Sequence, residues 1–329
     1  MHQREESMTR LLFSLCLILA GLVLGWFWQQ HLCRRGRADS LPALRKKLQK
    51  IGLLFAMPIS FAAAVWVVSF DDPRLILLPF LGAFILLLGG GLAWLFALIS
   101  GQDARRRGAL FCCGSFTNLG SIGALVSFVF LGEAGFALIA IYKIFEEVSY
   151  YTVGFPIARS CSVQQESGGG RGRIAGLWRD PFIVAALLAL LSGMALNLSG
   201  LPRPGVFETI NAFLVPAGTF VLLLSIGLGM RLVGIRANLR EALAIAGIKF
   251  LLLPLVAVSL AWWLGFGEMD HGLPLQVVLI AASMPVAFTA LVATSIYDLD
   301  LDLANACWLV TTGLLLVVVP WLAFVLPRL

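Results

Sequence analysis

Residues Ala281–Tyr297 read AASMPVAFTALVATSIY. The stretch is apolar enough for a membrane, yet Pro285 stands at its middle among the hydroxyls Ser283, Thr289, Thr294 and Ser295. Proline removes a backbone donor and its ring clashes with the preceding turn, so it kinks or breaks a helix. Broken backbone at membrane depth persists only where protein buries it or where it lines a watery cavity. Residues Ser115–Leu131, SFTNLGSIGALVSFVFL, hold the matching place in the first half of the chain, with Asn118, Gly120 and Gly123 inside an apolar run. Two interrupted helices in corresponding halves point to the binding site of a transporter.

The rest of the chain fits that setting. Of 329 residues 60% are apolar and only 13% charged, and mean hydropathy is +0.93. A soluble domain carries about 25% charged residues, so this is an all-α integral membrane protein. The net charge of +6 is no nucleic-acid signal, because the basic residues collect between apolar spans. Cys16, Cys33, Cys112, Cys113, Cys161 and Cys307 lack metal spacing and read as small core residues. His2, His31 and His271 lie outside the spans. With no metal motif, no Ser/His pair within the bilayer and no P-loop, neither a membrane-embedded enzyme nor a nucleotide-driven pump is expected. No loop is long enough for a signalling domain, which argues against a receptor. No cofactor or metal is expected.

Ten spans are expected: Leu11–Gln30, Ile51–Phe70, Arg74–Ser100, Ala109–Leu131, Phe136–Ala158, Pro181–Leu198, Val206–Met230, Glu241–Leu264, Pro274–Tyr297 and Leu303–Val325. Each has the length a hydrocarbon core of about 30 Å requires. The first span is too long for a signal peptide and no cleavage pattern follows it. Met8 stands beside Met1 as an alternative start. Seventeen of the 24 Lys and Arg residues fall in the loops after spans one, three, five and seven, and five fall on the other side. The positive-inside rule then makes those loops cytoplasmic and leaves both termini outside.

The chain divides into residues 1–158, a flexible linker at 159–180 containing SGGGRGR, and residues 181–329. Internal matches relate the halves: RLILLP at Arg74–Pro79 to KFLLLP at Lys249–Pro254, Pro58 to Pro216, and Ala124–Val126 to Ala290–Val292. The last match sets Leu119 against Pro285. Five spans is an odd number, so the second half enters from the opposite side and the repeat is inverted, a common plan in secondary transporters.

Several stretches carry a resemblance. Leu44–Pro58 leads from a charged helix start to an intramembrane proline. Thr117-Asn118-Leu119-Gly120 is followed by Gly132 and a fifth span bearing Tyr142. Val215-Pro216-Ala217 leads to Gly227 and Leu228. Ala282-Ser283-Met284-Pro285 is followed by Ala293, Tyr297 and an acidic turn. On these residues the chain resembles the auxin efflux carrier family, whose bacterial members include organic-anion permeases. Two positions depart from the family pattern. Leu125 stands where a proline is usual in the fourth span, and Thr289 stands near the place of an asparagine in the ninth. The resemblance implies a fold shared with bile-acid/sodium symporters. Spans one, two, six and seven would form a scaffold, and the others a moving core with broken crossing helices four and nine. It also implies elevator-like alternating access, a homodimer and a bacterial inner membrane.

The expected ligand is a small organic anion such as a carboxylate. Asn118, Gly120, Ser283, Met284, Pro285 and Thr289 are its candidate contacts. A helix broken at midplane presents N–H groups and a partial positive end to an anion, and carbonyls at the opposite end to a cation or donor. Lys143, Glu146 and Glu147 lie within the fifth span at spacings of three and four. They read either as a coupling site or as a self-satisfied ion pair, since a charge at the bilayer centre costs about 3 kcal/mol and must face protein or water. Protons are the simpler coupling ion, and a sodium-coupled symporter of the bile-acid type is the alternative. Lys249 is expected to snorkel to the interface, and Asp298, Asp300 and Asp302 to cap span ten. The Gly89–Gly91 run is expected to allow close helix packing.

Overall fold

The computed structural model describes residues 2–68, 72–162, 181–230 and 234–329, with side chains described from residue 9 onward except at 182 and 183. Among these residues the protein is helical without strands, and one isolated antiparallel bridge joins Thr117 to Val286. Most of the expected linker, residues 163–180, lies outside the described residues.

Among the described residues six helices are long and apolar enough to cross a membrane: Thr9–Arg34, Ala38–Val65, Pro73–Ile99, Leu119–Ser160, Val206–Gly227 and Leu239–Trp263. The count reaches seven if Leu301–Gly313 and Leu315–Arg328, bent by 42°, form one span. Ten spans were expected, and the described helices do not map one to one onto them; the sixth, Pro181–Leu198, is an 18-residue helix, while others are joined or cut. Leu119–Ser160 holds 42 residues, about 63 Å as a straight helix, roughly twice the hydrocarbon thickness. It turns at Gly132, whose φ of 70° favours glycine. Elsewhere breaks cut the helices into pieces too short to span alone: Ala104–Ser115, Asp270–Ala282 and Phe288–Ile296.

Prolines leave a regular mark. Widened π-helical turns at Gly52–Ala56, Tyr150–Gly154 and Ile248–Leu252 each run into a proline two residues later: Pro58, Pro156 and Pro254. The proline ring pushes on the carbonyl four residues back and removes its donor, so the preceding turn opens.

The chain gathers into two compact units, each drawing on both sequence halves. The first comprises Met1–Asp71, Gly120–Ile141 and Asp180–Arg231, and so holds spans one, two, six and seven of the sequence reading together with parts of spans four and five. In it the first helix packs against Val206–Gly227 where small residues meet. A Cβ on Gly25 would fall 2.3 Å from the Leu224 carbonyl oxygen, and one on Gly227 2.3 Å from that of Leu22. Only glycine allows this approach. The side-chain amide of Asn197 donates to the carbonyls of Val65, Trp66 and Val68, capping Met57–Val65. Arg203, mostly buried, pairs with Glu133 at 2.6 Å and donates to Ala63 O.

The second unit comprises Asp72–Leu119, Tyr142–Arg179 and Leu232–Leu329. Its tightest seam joins Leu78–Ile99 to Ala104–Ser115. A Cβ on Gly89 would lie 2.4 Å from Gly114 O, and one on Gly90 2.7 Å from the Phe111 ring. Gly91 meets nothing within 4 Å. Two residues of the glycine run therefore make the packing and the third does not.

Candidate functional site

Both breaks lie in the second unit. Ala104–Ser115 ends at Phe116, whose backbone is extended (φ −79°, ψ 119°). Asp103 caps the start of that helix by accepting the Arg106 N–H. The other broken helix, Leu273–Ala282, ends at Ser283 and resumes at Phe288 after an extended Ala287 (φ −74°, ψ 150°). Pro285 explains the second break locally, since it lacks a donor and disfavours the helical conformation at Met284. The first break has no proline, and its cause is tertiary.

The two breaks satisfy each other. Asn118 N–H donates to Pro285 O at 2.9 Å, and Ala287 N–H donates to Phe116 O at 2.9 Å. Thr117 and Val286 face each other between these bonds. The next backbone donors are held by side chains: Thr117 N–H donates to the Tyr150 hydroxyl at 3.0 Å, and Val286 N–H to Thr311 Oγ1 at 3.3 Å. Buried backbone without such partners would be costly, so an extended crossing point survives here because every donor from Thr117 to Asn118 and from Val286 to Ala287 has an acceptor.

Lys249 corrects an expectation. It does not reach for the interface. It is fully buried, and its Nζ donates to Phe116 O at 3.3 Å and to Thr117 Oγ1 at 2.5 Å. The carbonyl end of Ala104–Ser115 carries partial negative charge, which favours a cation there. Snorkelling would have removed one of the two donors to Phe116 O, leaving the Ala287 N–H.

The fifth-span charges connect to the same point. Lys143 Nζ lies 3.1 Å from Glu146 Oε2, and Glu146 is buried. The Tyr150 hydroxyl donates to Glu146 Oε1 at 2.8 Å. One continuous chain of contacts thus runs Lys143, Glu146, Tyr150, Thr117, Lys249. Glu147 is half-buried one residue on. The helix is irregular before Glu146, with Phe145 at φ −90° and ψ 7°, yet Lys143 and Glu146 still meet at the expected spacing of three.

The remaining candidates separate. Thr117, Asn118, Ser283, Met284 and Pro285 are buried at the crossing, and Thr289 is exposed one residue into the resumed helix. Gly120 belongs to the first unit. Thr294 donates to Leu291 O within its own helix, so its hydroxyl serves the helix. Ser283 Oγ, Trp308 Nε1 and Thr312 Oγ1 are buried polar atoms without a partner. Trp308 sits edge-on to Phe288, with ring centroids 6.1 Å apart. Sequence reading missed Tyr150, Lys249, Thr311 and Trp308 as parts of this place. A signal existed for Tyr150, which stands four residues after Glu146 and so one helical turn away. Among the described residues no three His, Cys, Asp or Glu side chains converge as metal ligands would.

The chain is 29% identical over 252 residues to an uncharacterized transporter of Methanothermobacter thermautotrophicus, covering 77% of this chain and 79% of that protein. It is 26% identical over 158 residues to an uncharacterized transporter of Methanocaldococcus jannaschii, covering 46% and 49%. No family model matches the chain. Apolar helices of spanning length together with these relatives support an integral membrane protein of the transporter class.

Proposed function

We propose that the protein is a secondary carrier for a small organic anion, of the auxin efflux carrier type. The observation that carries this reading is the reciprocal pairing of the breaks, Asn118 to Pro285 and Ala287 to Phe116. Pairing of this kind fixes interrupted helices in position, and helix ends opened in the middle of a membrane protein suit an ionic ligand. Asn118, Ser283, Met284, Pro285 and Thr289 are the proposed contacts. The unpartnered donors Trp308 Nε1, Ser283 Oγ and Thr312 Oγ1 add groups suited to carboxylate oxygens.

The architecture we propose around this site is ten spans in two inverted five-span repeats, moving by elevator-like alternating access. The homodimer, the bacterial inner membrane and termini outside the cytoplasm belong to the same reading. Coupling is to protons, with Lys143, Glu146 and Glu147 as the coupling or ion-pair cluster and Tyr150 as its link to the crossing. Lys249 supports protons over sodium, because its side-chain nitrogen already occupies the carbonyl end where a cation would be held.

The test is uptake of labelled malonate, malate, lactate and an indole carboxylate into proteoliposomes, under a pH gradient, a sodium gradient or neither. The expected result is uptake of one acid driven by the pH gradient and abolished by Asn118→Ala and by Pro285→Ala in folded protein. Uptake driven by sodium alone would favour the bile-acid type of symport. No uptake of any acid under any gradient would remove the carrier reading.

A further inference from the structure

We propose that Arg106 is a positioning residue that holds the register of the crossing from about 15 Å away, through three helices it ties together at their opposite ends. The guanidinium meets four acceptors within the second unit. Nη1 donates to Asp300 Oδ2 at 3.0 Å, and Nη2 to Glu241 Oε1 at 3.0 Å and Asn238 Oδ1 at 3.1 Å. Nε donates to Gln102 Oε1, and the Gln102 amide reaches on to Glu241 Oε1 at 3.1 Å. Arg106 and its two carboxylate partners are all less than 30% exposed.

The two carboxylate acceptors, and Asp103 beside Arg106, stand at helix starts. Asp103 caps Ala104–Ser115, Asp300 caps Leu301–Gly313 by accepting the Leu303 N–H at 2.9 Å, and Glu241 lies in the first turn of Leu239–Gly247. Carboxylates suit the positive ends of helices. Gathering three such ends brings Glu241 and Asp300 together, and Arg106 is the cation between them. The guanidinium's several donors in a fixed planar fork, one reaching each carboxylate, suit arginine to that task.

Each tied helix then delivers one element of the crossing. Ten residues after Arg106 stands Phe116, whose carbonyl accepts from Ala287 and Lys249. Eleven residues after Asn238 stands Lys249. Eleven residues after Asp300 stands Thr311, which accepts the Val286 N–H. At about 1.5 Å per residue the three struts are each about 15–17 Å long. Helices of equal length pinned at one end present their far ends at one level, so a slip at Arg106 shifts Phe116, Lys249 and Thr311 against one another. The neighbouring Arg105 differs. It is more exposed and holds Asp298 alone.

The significance for transport rests on the carrier reading, but the geometric claim does not, and the test needs no substrate. Hydrogen–deuterium exchange of the protein in nanodiscs would be followed by mass spectrometry in peptides covering residues 116–119 and 285–288. Arg106→Gln should speed exchange of the Asn118 and Ala287 amides at least tenfold. Arg106→Lys, which keeps the charge but not the fork, should speed it less, and Arg105→Gln should stay within twofold of wild type. If Arg106→Gln does not fold, Glu241→Gln poses the same question, since it keeps the side-chain shape and removes one carboxylate. Faster exchange at the crossing supports the proposal. Faster exchange confined to residues 104–107, 239–242 and 301–304, with the crossing unchanged, would overturn it and leave Arg106 a local cap.

Discussion

The backbone N–H of Asn118 donates to the carbonyl of Pro285 across the crossing at 2.9 Å. This bond and its mirror, Ala287 to Phe116, flank Thr117 and Val286, which therefore form a non-hydrogen-bonded antiparallel pair. Such pairs bring Cα atoms to about 4.5 Å, inside the range of roughly 4.4–6.8 Å that a disulfide bridges.

A Thr117→Cys/Val286→Cys protein should consequently close a disulfide under mild oxidant. Peptide mapping by mass spectrometry would find the linked pair. Two freely alkylated thiols after oxidation of folded protein would show that the breaks do not face each other.

Tyr150→Phe keeps the ring that packs 4.1 Å from Phe116 and removes only the hydroxyl. Glu146 Oε1 and the Thr117 N–H then lose their shared partner. An orphaned buried group costs about 1–3 kcal/mol. The unfolding temperature in detergent should drop accordingly, and, on the proposed proton-coupled carrier reading, uptake should fall at least tenfold. Wild-type values for both would exclude the hydroxyl as the link.

Lys249→Met should separate stability from transport. Burying the lysine nitrogen carries a desolvation cost that an apolar side chain of similar volume does not, and Phe116 O keeps the Ala287 N–H as a donor. The melting temperature should stay near that of wild type while uptake falls at least tenfold. Retained uptake would make the lysine a structural donor only.

The glycine run offers an internal control. Gly89→Ala drives a Cβ to within 2.4 Å of backbone oxygen, and overpacking of this kind costs about 1–3 kcal/mol. Gly91→Ala meets open space and should gain up to about 1 kcal/mol from helix propensity. Melting curves of the two variants should move in opposite directions, and a common direction would contradict the close seam at Gly114.

Much of the fold was legible because its causes are local. Pro285 breaks its helix by removing its own donor, and the widened turns before Pro58, Pro156 and Pro254 have the same origin. The Asp300 cap was legible for a similar reason, since a carboxylate before a helix start has an acceptor to offer at short range. Span counting was less secure. Gly132 and the breaks divide the apolar sequence into pieces whose lengths do not match whole crossings.

Composition alone set the membrane class, since 60% apolar residues with 13% charge leave no other solvent for the surface. The proline and glycine positions set where helices could open. Only the tertiary structure decided what those openings bind. Lys249 has a stem long enough to reach either the interface or the interior, and the choice fell to a carbonyl and a hydroxyl more than 130 residues away in sequence. The first break, without a proline, exists because the second one supplies its partners. Hydrogen bonds between distant segments depend on packing that brings them within 3 Å, and no local pattern encodes that distance.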